Sequence, residues 1–161
     1  MAKLKKPSPK FAVVACSGGC RATAECQYGC VGCGVCVSVC PFEAIELGAL
    51  GVAEVDKECC IGCGKCAKEC PREVISIHDR LNPIVVKCSN RDVGKLARQV
   101  CEVSCIGCGL CAKACPAGAI AVADNLSQID ESICLSCGQC AVKCPRHAIV
   151  DVRGILTPKQ W

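Results

Sequence analysis

Sixteen cysteines of this chain stand in four copies of one spacing, C-x2-C-x2-C-x3-C-P, at residues 30–41, 60–71, 105–116 and 134–145. Three thiolates on one short loop can occupy three corners of a [4Fe–4S] cube. In the bacterial run of this type the fourth cysteine serves the other cluster of the pair. The spacing therefore predicts four ligand sets: Cys30, Cys33, Cys36 and Cys70; Cys60, Cys63, Cys66 and Cys40; Cys105, Cys108, Cys111 and Cys144; Cys134, Cys137, Cys140 and Cys115. Four [4Fe–4S] clusters are expected, each stapling two halves of its domain. Tetrahedral zinc is the competing chemistry, but it usually takes two cysteines from each of two hairpins. Three evenly spaced cysteines followed by Cys-Pro, four times over, fit that poorly.

The elements that must position these ligands recur with them. Val13-Val14-Ala15-Cys16-Ser17 matches Val85-Val86-Lys87-Cys88-Ser89, and the runs from Cys26 to Pro41 and from Cys101 to Pro116 have identical cysteine spacing. The reading is an α+β chain of two tandem 2×[4Fe–4S] ferredoxin-like domains related by internal duplication. Residues 1–10 form a basic tail, 11–82 the first domain, 83–155 the second and 156–161 a C-terminal tail. Each copy opens on a β-branched run (11–15; 84–87) that reads as a strand. In the second copy a helix follows, capped by Ser89 or Asn90, with Val93, Leu96, Ala97 and Val100 at helical spacing. Gly62, Gly64, Gly107 and Gly109 allow the cysteine loops to turn N–H groups toward sulfur. Short helices are expected at 65–70 and 110–115, ended by proline. Ile45, Ile75, Ile120 and Ile149 should each start a strand covering a cluster, and residues 79–83 should link the copies.

Composition agrees that metal replaces core. Of 161 residues 22 are cysteine, and the 52% hydrophobic fraction falls to about 38% once these are set aside. Phe11, Tyr28, Phe42 and Trp161 are the aromatics. So small an apolar payload needs disulfides or metal centres. The apolar stretch after the basic N-terminus is too short for a signal peptide, and no run approaches the roughly 20 residues that span a bilayer. A reducing, cytoplasmic setting with free thiols is expected. Each oxidised cluster with its four thiolates adds a charge of about −2, so four of them turn the formal +4 into about −4. That balance, with no aromatic stacking residues and no concentrated basic stretch, excludes a nucleic-acid partner.

Six cysteines lie outside the motifs: Cys16, Cys20, Cys26, Cys59, Cys88 and Cys101. Cys26 and Cys101, four residues before a first ligand, are alternative ligands or buried thiols packing as small hydrophobes. A further cluster on Cys16, Cys20 and Cys26 has no evident fourth ligand in the sequence, and Cys59 reads as a bystander. His78 and His147 read as surface residues. Lys65, Lys68, Lys113, Lys143, Arg72 and Arg146 either form a solvated face or raise cluster potentials and guide an acidic redox partner. No phosphate loop, nucleophile elbow or carboxylate pair is present, so the chain is read as no enzyme by itself.

Residues 85–89, 101–108, 125–130 and 134–149, together with Cys26-Gln27-Tyr28-Gly29-Cys30-Val31-Gly32 and Cys40-Pro41-Phe42-Glu43-Ala44-Ile45, carry a family likeness. Through them the chain resembles the ferredoxin region of RnfB, the polyferredoxin subunit of Rnf electron-transport complexes. The membrane-spanning helix and separate iron–sulfur module of that subunit have no counterpart in the sequence. Many relatives lack a cysteine at the position of Cys33 and use the equivalents of Cys26, Cys30 and Cys36, so the first cluster's third ligand stays open. The resemblance implies a low-potential electron-transfer subunit of an oxidoreductase complex. Its partners would be a ferredoxin or flavoprotein donor and the other subunits. It would be cytoplasmic, or peripheral on the cytoplasmic face of the inner membrane through those subunits. The alternatives are an iron–sulfur subunit of a hydrogenase or dehydrogenase complex, and a stand-alone soluble polyferredoxin.

Overall fold

The computed structural model describes residues 8–20 and 26–157; most of the basic tail and the last four residues lie outside them. Strand β1 (Lys10–Val14) buries four apolar side chains in a row and pairs antiparallel with β4 (Ile75–Asp79), Phe11 opposite His78 and Val13 opposite Ser76. Between them in the chain lie the hairpin of β2 (Ile45–Leu47) and β3 (Ala53–Val55). The second half repeats the plan. Strand β5 (Ile84–Val86) pairs with β8 (Ile149–Asp151), and β6 (Ile120–Ala123) with β7 (Leu126–Ile129). Each half thus closes its first strand on its last, with the cysteine loops held between.

The four isoleucines open β2, β4, β6 and β8 in the expected frame, and all four are buried. The opening strands each end one residue earlier than the β-branched runs predict. Ala15 and Lys87 still donate to Val74 and Ala148 at 2.7 and 2.8 Å, but the chain then bends toward Cys16 and Cys88.

Four one-turn helices carry the third cysteine of each motif: α1 (Val35–Ser38), α2 (Lys65–Glu69), α4 (Leu110–Ala114) and α5 (Gln139–Lys143). Helices α2 and α4 stop one residue before the expected end. The reason is the proline that follows: its ring bars the α conformation from the preceding residue. Cys70, Cys115 and Cys144 accordingly sit extended, with ψ of 113°, 112° and 112°. Proline thereby swings the fourth cysteine out of the helix and away from its own loop.

Helix α3 (Gly94–Val100) exists where helical spacing placed it, but the capping differs. Val93 occupies the N-cap with no side-chain cap bond. Asn90 instead closes a local turn, accepting from Asp92 N–H at 2.7 Å, while Ser89 Oγ donates to the Tyr28 carbonyl at 2.7 Å. Both polar side chains are engaged elsewhere, so the cap is left to a hydrophobe. Ala97 is buried, whereas Val93 and Leu96 are about half exposed.

The larger apolar cluster gathers Phe11, Val13, Ala44, Ile45, Val52, Val74 and Ile75 around Cys36, Cys60 and Cys66, and also takes in Val85 from the second half. A second joins Ile84, Ile120, Ala141 and Ile149 to Cys111 and Cys140, and a third, small one holds Cys88, Cys105 and Ala148. Cysteine is thus part of all three. The halves also meet through His78, whose Nδ1 faces the Glu131 carboxylate while Nε2 lies 2.7 Å from Ser76 Oγ. It is half-buried between the halves, which corrects its reading as a surface residue; His147 is exposed as expected. Residues 80–83 turn from β4 into β5, and Asp79 accepts from Leu81 N–H at 2.9 Å. Among the described residues no helix is long and apolar enough to cross a membrane.

Gly62 shows how tightly a cysteine loop is fitted. Its φ is +68°, and a Cβ there would stand 2.7 Å from Lys10 Cβ and 2.8 Å from the Lys10 carbonyl carbon. Gly62→Ala therefore combines left-handed strain with a backbone clash and is expected to cost roughly 1–3 kcal/mol. A lowered melting temperature of the metal-loaded protein checks it; an unchanged one contradicts the fit.

Candidate metal centres

Each cysteine loop aims backbone N–H groups at sulfur. Gly32, Gly62 and Ser136 donate to Cys30, Cys60 and Cys134 two residues earlier, at 3.5, 3.4 and 3.4 Å. After the proline, a left-handed residue (Glu43, φ 50°; Gly118, φ 63°) turns the next amide back. Ala44 then donates to Cys40 at 3.4 Å and Ala119 to Cys115 at 3.3 Å. Ala12 of β1 donates to Cys60 at 3.3 Å. Such donors favour the charged form of sulfur, which is the form that binds metal.

Three cavities show which cysteines meet. One is lined by Cys105, Cys108, Cys111 and Cys144; another by Cys30, Cys33, Cys36 and Cys70. A third is lined by Cys60, Cys63, Cys66 and Cys40. In each, three sulfurs come from one motif and the fourth from its neighbour. For the remaining set, the charge of Cys134 acts on Cys140, as does that of Cys111, and Cys115 packs on the apolar cluster that contains Cys140. Cys33, Cys63, Cys108 and Cys137 are the exposed members; the third-position cysteines, with Cys60 and Cys105, are the buried ones.

The chemistry of these cavities suits an anionic iron–sulfur group. Among the described residues no three Cys, His, Asp or Glu side chains form a group that could hold a single metal ion. The sulfurs stand around cavities instead. Arg72 and Arg146 line two of them. Arg146 Nε is buried without a hydrogen-bond partner, a cationic donor left for an anion beside Cys144. Ser127 adds a contact that no sequence signal marked: its buried Oγ lies 3.3 Å from Cys111 Sγ.

Both arginines depart from the solvated-face reading. Arg72 Nε donates to the Gly29 carbonyl at 3.3 Å, and Arg146 Nη2 to the Cys101 carbonyl at 2.6 Å. In each half the residue after Cys-Pro thus ties the last motif to the loop preceding the first.

Burial, reinforced by the Cys60 charge, pushes the Cys66 thiol up to about 11. Burial likewise takes Cys140 up to about 11, with Cys134 adding to it against a backbone N–H bond. Cys36 and Cys111 rise for the same main reason. At neutral pH these buried thiols hold their protons. Metal loading at them would therefore release protons and be favoured as pH rises. Anaerobic reconstitution with iron and sulfide is expected to proceed faster at about pH 8.5 than at about pH 6.5; the opposite trend would contradict the protonated state of the buried thiols.

Cys26 and Cys101 do not enter the three cavities. Cys26 is buried beside Cys16, and Cys101 forms an antiparallel bridge with Cys20. Cys33 takes the place in the first cavity for which Cys26 was the alternative. Cys88 is buried, its thiol pushed up to about 12 chiefly by burial, and accepts from Asn90 and Cys105 N–H at 3.4 and 3.2 Å. Cys59 is exposed.

The 4Fe-4S dicluster domain matches residues 29–74, 59–119 and 104–148. The chain is 44% identical over 85 residues to a subunit of the Na(+)-translocating ferredoxin:NAD(+) oxidoreductase complex of Acetobacterium woodii, covering 53% of this chain and 25% of the relative. It is 45% identical over 108 residues to the corresponding subunit of the proton-translocating ferredoxin:NAD(+) oxidoreductase complex of Clostridium ljungdahlii, covering 67% and 38%. A third relative, from the ion-translocating oxidoreductase complex of Methanosarcina acetivorans, is 43% identical over 84 residues, 52% of this chain and 32% of its own length. The chain thus spans between a quarter and two fifths of the curated relatives it matches.

Proposed function

The chain belongs to the 4Fe-4S dicluster domain family, and on that premise we propose that it relays low-potential electrons as an electron-transfer subunit of a ferredoxin-linked oxidoreductase complex. A bound [4Fe–4S] cluster accepts and gives back one electron at a time, at a potential set by its surroundings. Four clusters are held by the four crossed ligand sets. They sit in two α+β ferredoxin-like domains, residues 11–82 and 83–155, related by duplication. The chain's own contribution is to exclude water, hold thiolates and tune charge. Cys36, Cys66, Cys111 and Cys140 are buried against apolar residues. Arg72 and Arg146 bring cations that favour the more negative, reduced state.

The carrying observation is the set of three cavities, each ringed by three cysteines of one motif and one of its neighbour. The names of the relatives support a complex that joins ferredoxin to NAD(+). Ferredoxin as donor and other subunits of that complex as acceptors follow, with a cytoplasmic or peripheral membrane location. By this reading the chain carries electrons and transforms no substrate.

Anaerobically prepared protein should contain about 16 iron atoms in motif clusters, show reduced-cluster EPR signals and accept electrons from reduced ferredoxin. Zinc in place of iron, or no reduction by ferredoxin, would sink the reading.

A further inference from the structure

The cysteines outside the motifs are not scattered. The loop after β1 carries Cys16, and Gly18 and Cys30 both donate backbone N–H to its sulfur. This is the same pattern, including the donor two residues on, that surrounds the motif ligands. Gly29 lies between two of the sulfurs: a Cβ there would stand 3.3 Å from Cys16 Sγ and 3.4 Å from Cys26 Sγ. Cys26 Sγ is also 3.8 Å from Nδ2 of Asn90, a side chain only 1% exposed. The chain then crosses between the halves. Glu102 N–H donates to the Gly19 carbonyl at 3.1 Å, and Cys20 pairs with Cys101 as an antiparallel bridge. The Cys20 and Cys101 thiols share a hydrogen bond, and the charges that act on Cys20 are those of Cys101, Cys26 and Cys16.

Gly19 is what permits this closure. A Cβ there would meet Val103 Cγ2 at 2.4 Å and Cys101 Sγ at 3.3 Å. Gly19 and Cys20 fall where the first copy departs from the second, so the departure has a use. Lys87 adds a cation: it is half-buried, burial lowers its pKa, and the charges of Cys16 and Glu54 oppose that fall. Four sulfurs, three N–H donors and one half-buried ammonium form a setting made for negative sulfur.

We propose that Cys16, Cys20, Cys26 and Cys101 hold a fifth iron–sulfur centre, built jointly by the two halves of the chain. This rests on the reading of the motif cysteines as iron–sulfur ligands and extends it. The fourth ligand that the first copy lacks comes from the second. As at the motif cavities, the set does not form a site for a single ion. Loading breaks four S–H bonds, forms four S–Fe bonds and releases four protons, the iron and sulfide being supplied by the reconstitution mixture. The centre would lie between the halves. Cys30, a ligand of the first motif set, donates to Cys16, while Cys101 is four residues from Cys105 and is anchored by Arg146. It therefore gives electrons a route from the first domain to the second.

The test uses the full chain, prepared anaerobically with its metal. On iodoacetamide labelling, exposed Cys59 should react while Cys16, Cys20, Cys26 and Cys101 stay protected, and iron removal should expose all four. The double variant C20S/C101S should lose about four iron atoms per chain relative to the parent, whereas C59S loses none. The proposal falls if Cys20 and Cys101 label as fast as Cys59, if they are found joined as a disulfide, or if the double variant keeps its iron. Labelling is read on the parent protein, so it decides even if the double variant does not fold. Motif cysteines protected while these four react would overturn only this proposal; motif cysteines reacting as well would overturn the four-cluster reading too.

Discussion

Cys144→Ser is expected to strip iron from the cavity of Cys105, Cys108 and Cys111, which belong to the other motif, and to leave iron at Cys134, Cys137 and Cys140. The proline after Cys144 holds that residue extended and turns it out of α5, and its side chain lines the cavity of the preceding motif. The loss should be up to about four iron atoms per chain, with Cys105, Cys108 and Cys111 becoming open to alkylation. It should also lower the melting temperature of the second half while that half stays folded around its remaining iron. The residues after Cys144 lead directly into β8, which pairs with β5, and the neighbouring core holds little beyond Ile84, Ile120, Ala141 and Ile149. In so small a core the free energy of metal binding is folding free energy, and a domain's net stability is only about 5–15 kcal/mol. Iron analysis, alkylation mapping and circular dichroism check the outcome. Loss of protection at Cys134, Cys137 and Cys140 instead would mean that each motif keeps its own fourth cysteine.

Phe11→Ala is expected to be the most damaging change away from sulfur. Phe11 is the largest fully buried side chain, 2% exposed in the middle of the first core, with the Arg80 guanidinium 5.5 Å from its ring centre. Truncating a buried phenylalanine costs about 3–5 kcal/mol through lost transfer energy and the cavity left behind. At about 2–4 °C per kcal/mol for a chain of this size, melting should fall by roughly 6–20 °C. The chain has few other large apolar groups with which to refill the space. Iron at the second half's motifs should be unaffected, since Phe11 belongs to the first core. A fall of less than about 3 °C would show that metal, not β1 packing, carries that half.

The two changes separate what is legible in the residues from what is not. The four motifs, their glycines and their prolines act through local rules. A glycine admits positive φ, a proline extends the residue before it, and β-branched runs make strands, so loops, one-turn helices and the frames of Ile45, Ile75, Ile120 and Ile149 follow from neighbours alone. Where a side chain has a choice between a local and a distant partner, local rules fail. Asn90 and Ser89 have the types and positions of caps for α3, yet hydrogen bonds elsewhere claim both. Arg72 and Arg146 stand among lysines of a solvated face, yet backbone carbonyls of distant loops take them. His78 has the setting of an exposed strand end, yet Glu131 of the other half faces it.

Residue types and spacing alone carry the four cysteine motifs, the recurrence of their order along the chain and the scarcity of apolar bulk. Those properties depend on residue type and local order, which no packing alters. Only the tertiary structure decided which sulfurs share a cavity, that Cys33 stands at the first cavity while Cys26 turns toward Cys16, and that Cys20 meets Cys101 across the halves. Those pairings join residues far apart in the chain. What sets them is the closing of β1 on β4 and β5 on β8, together with the close approach that Gly19 allows.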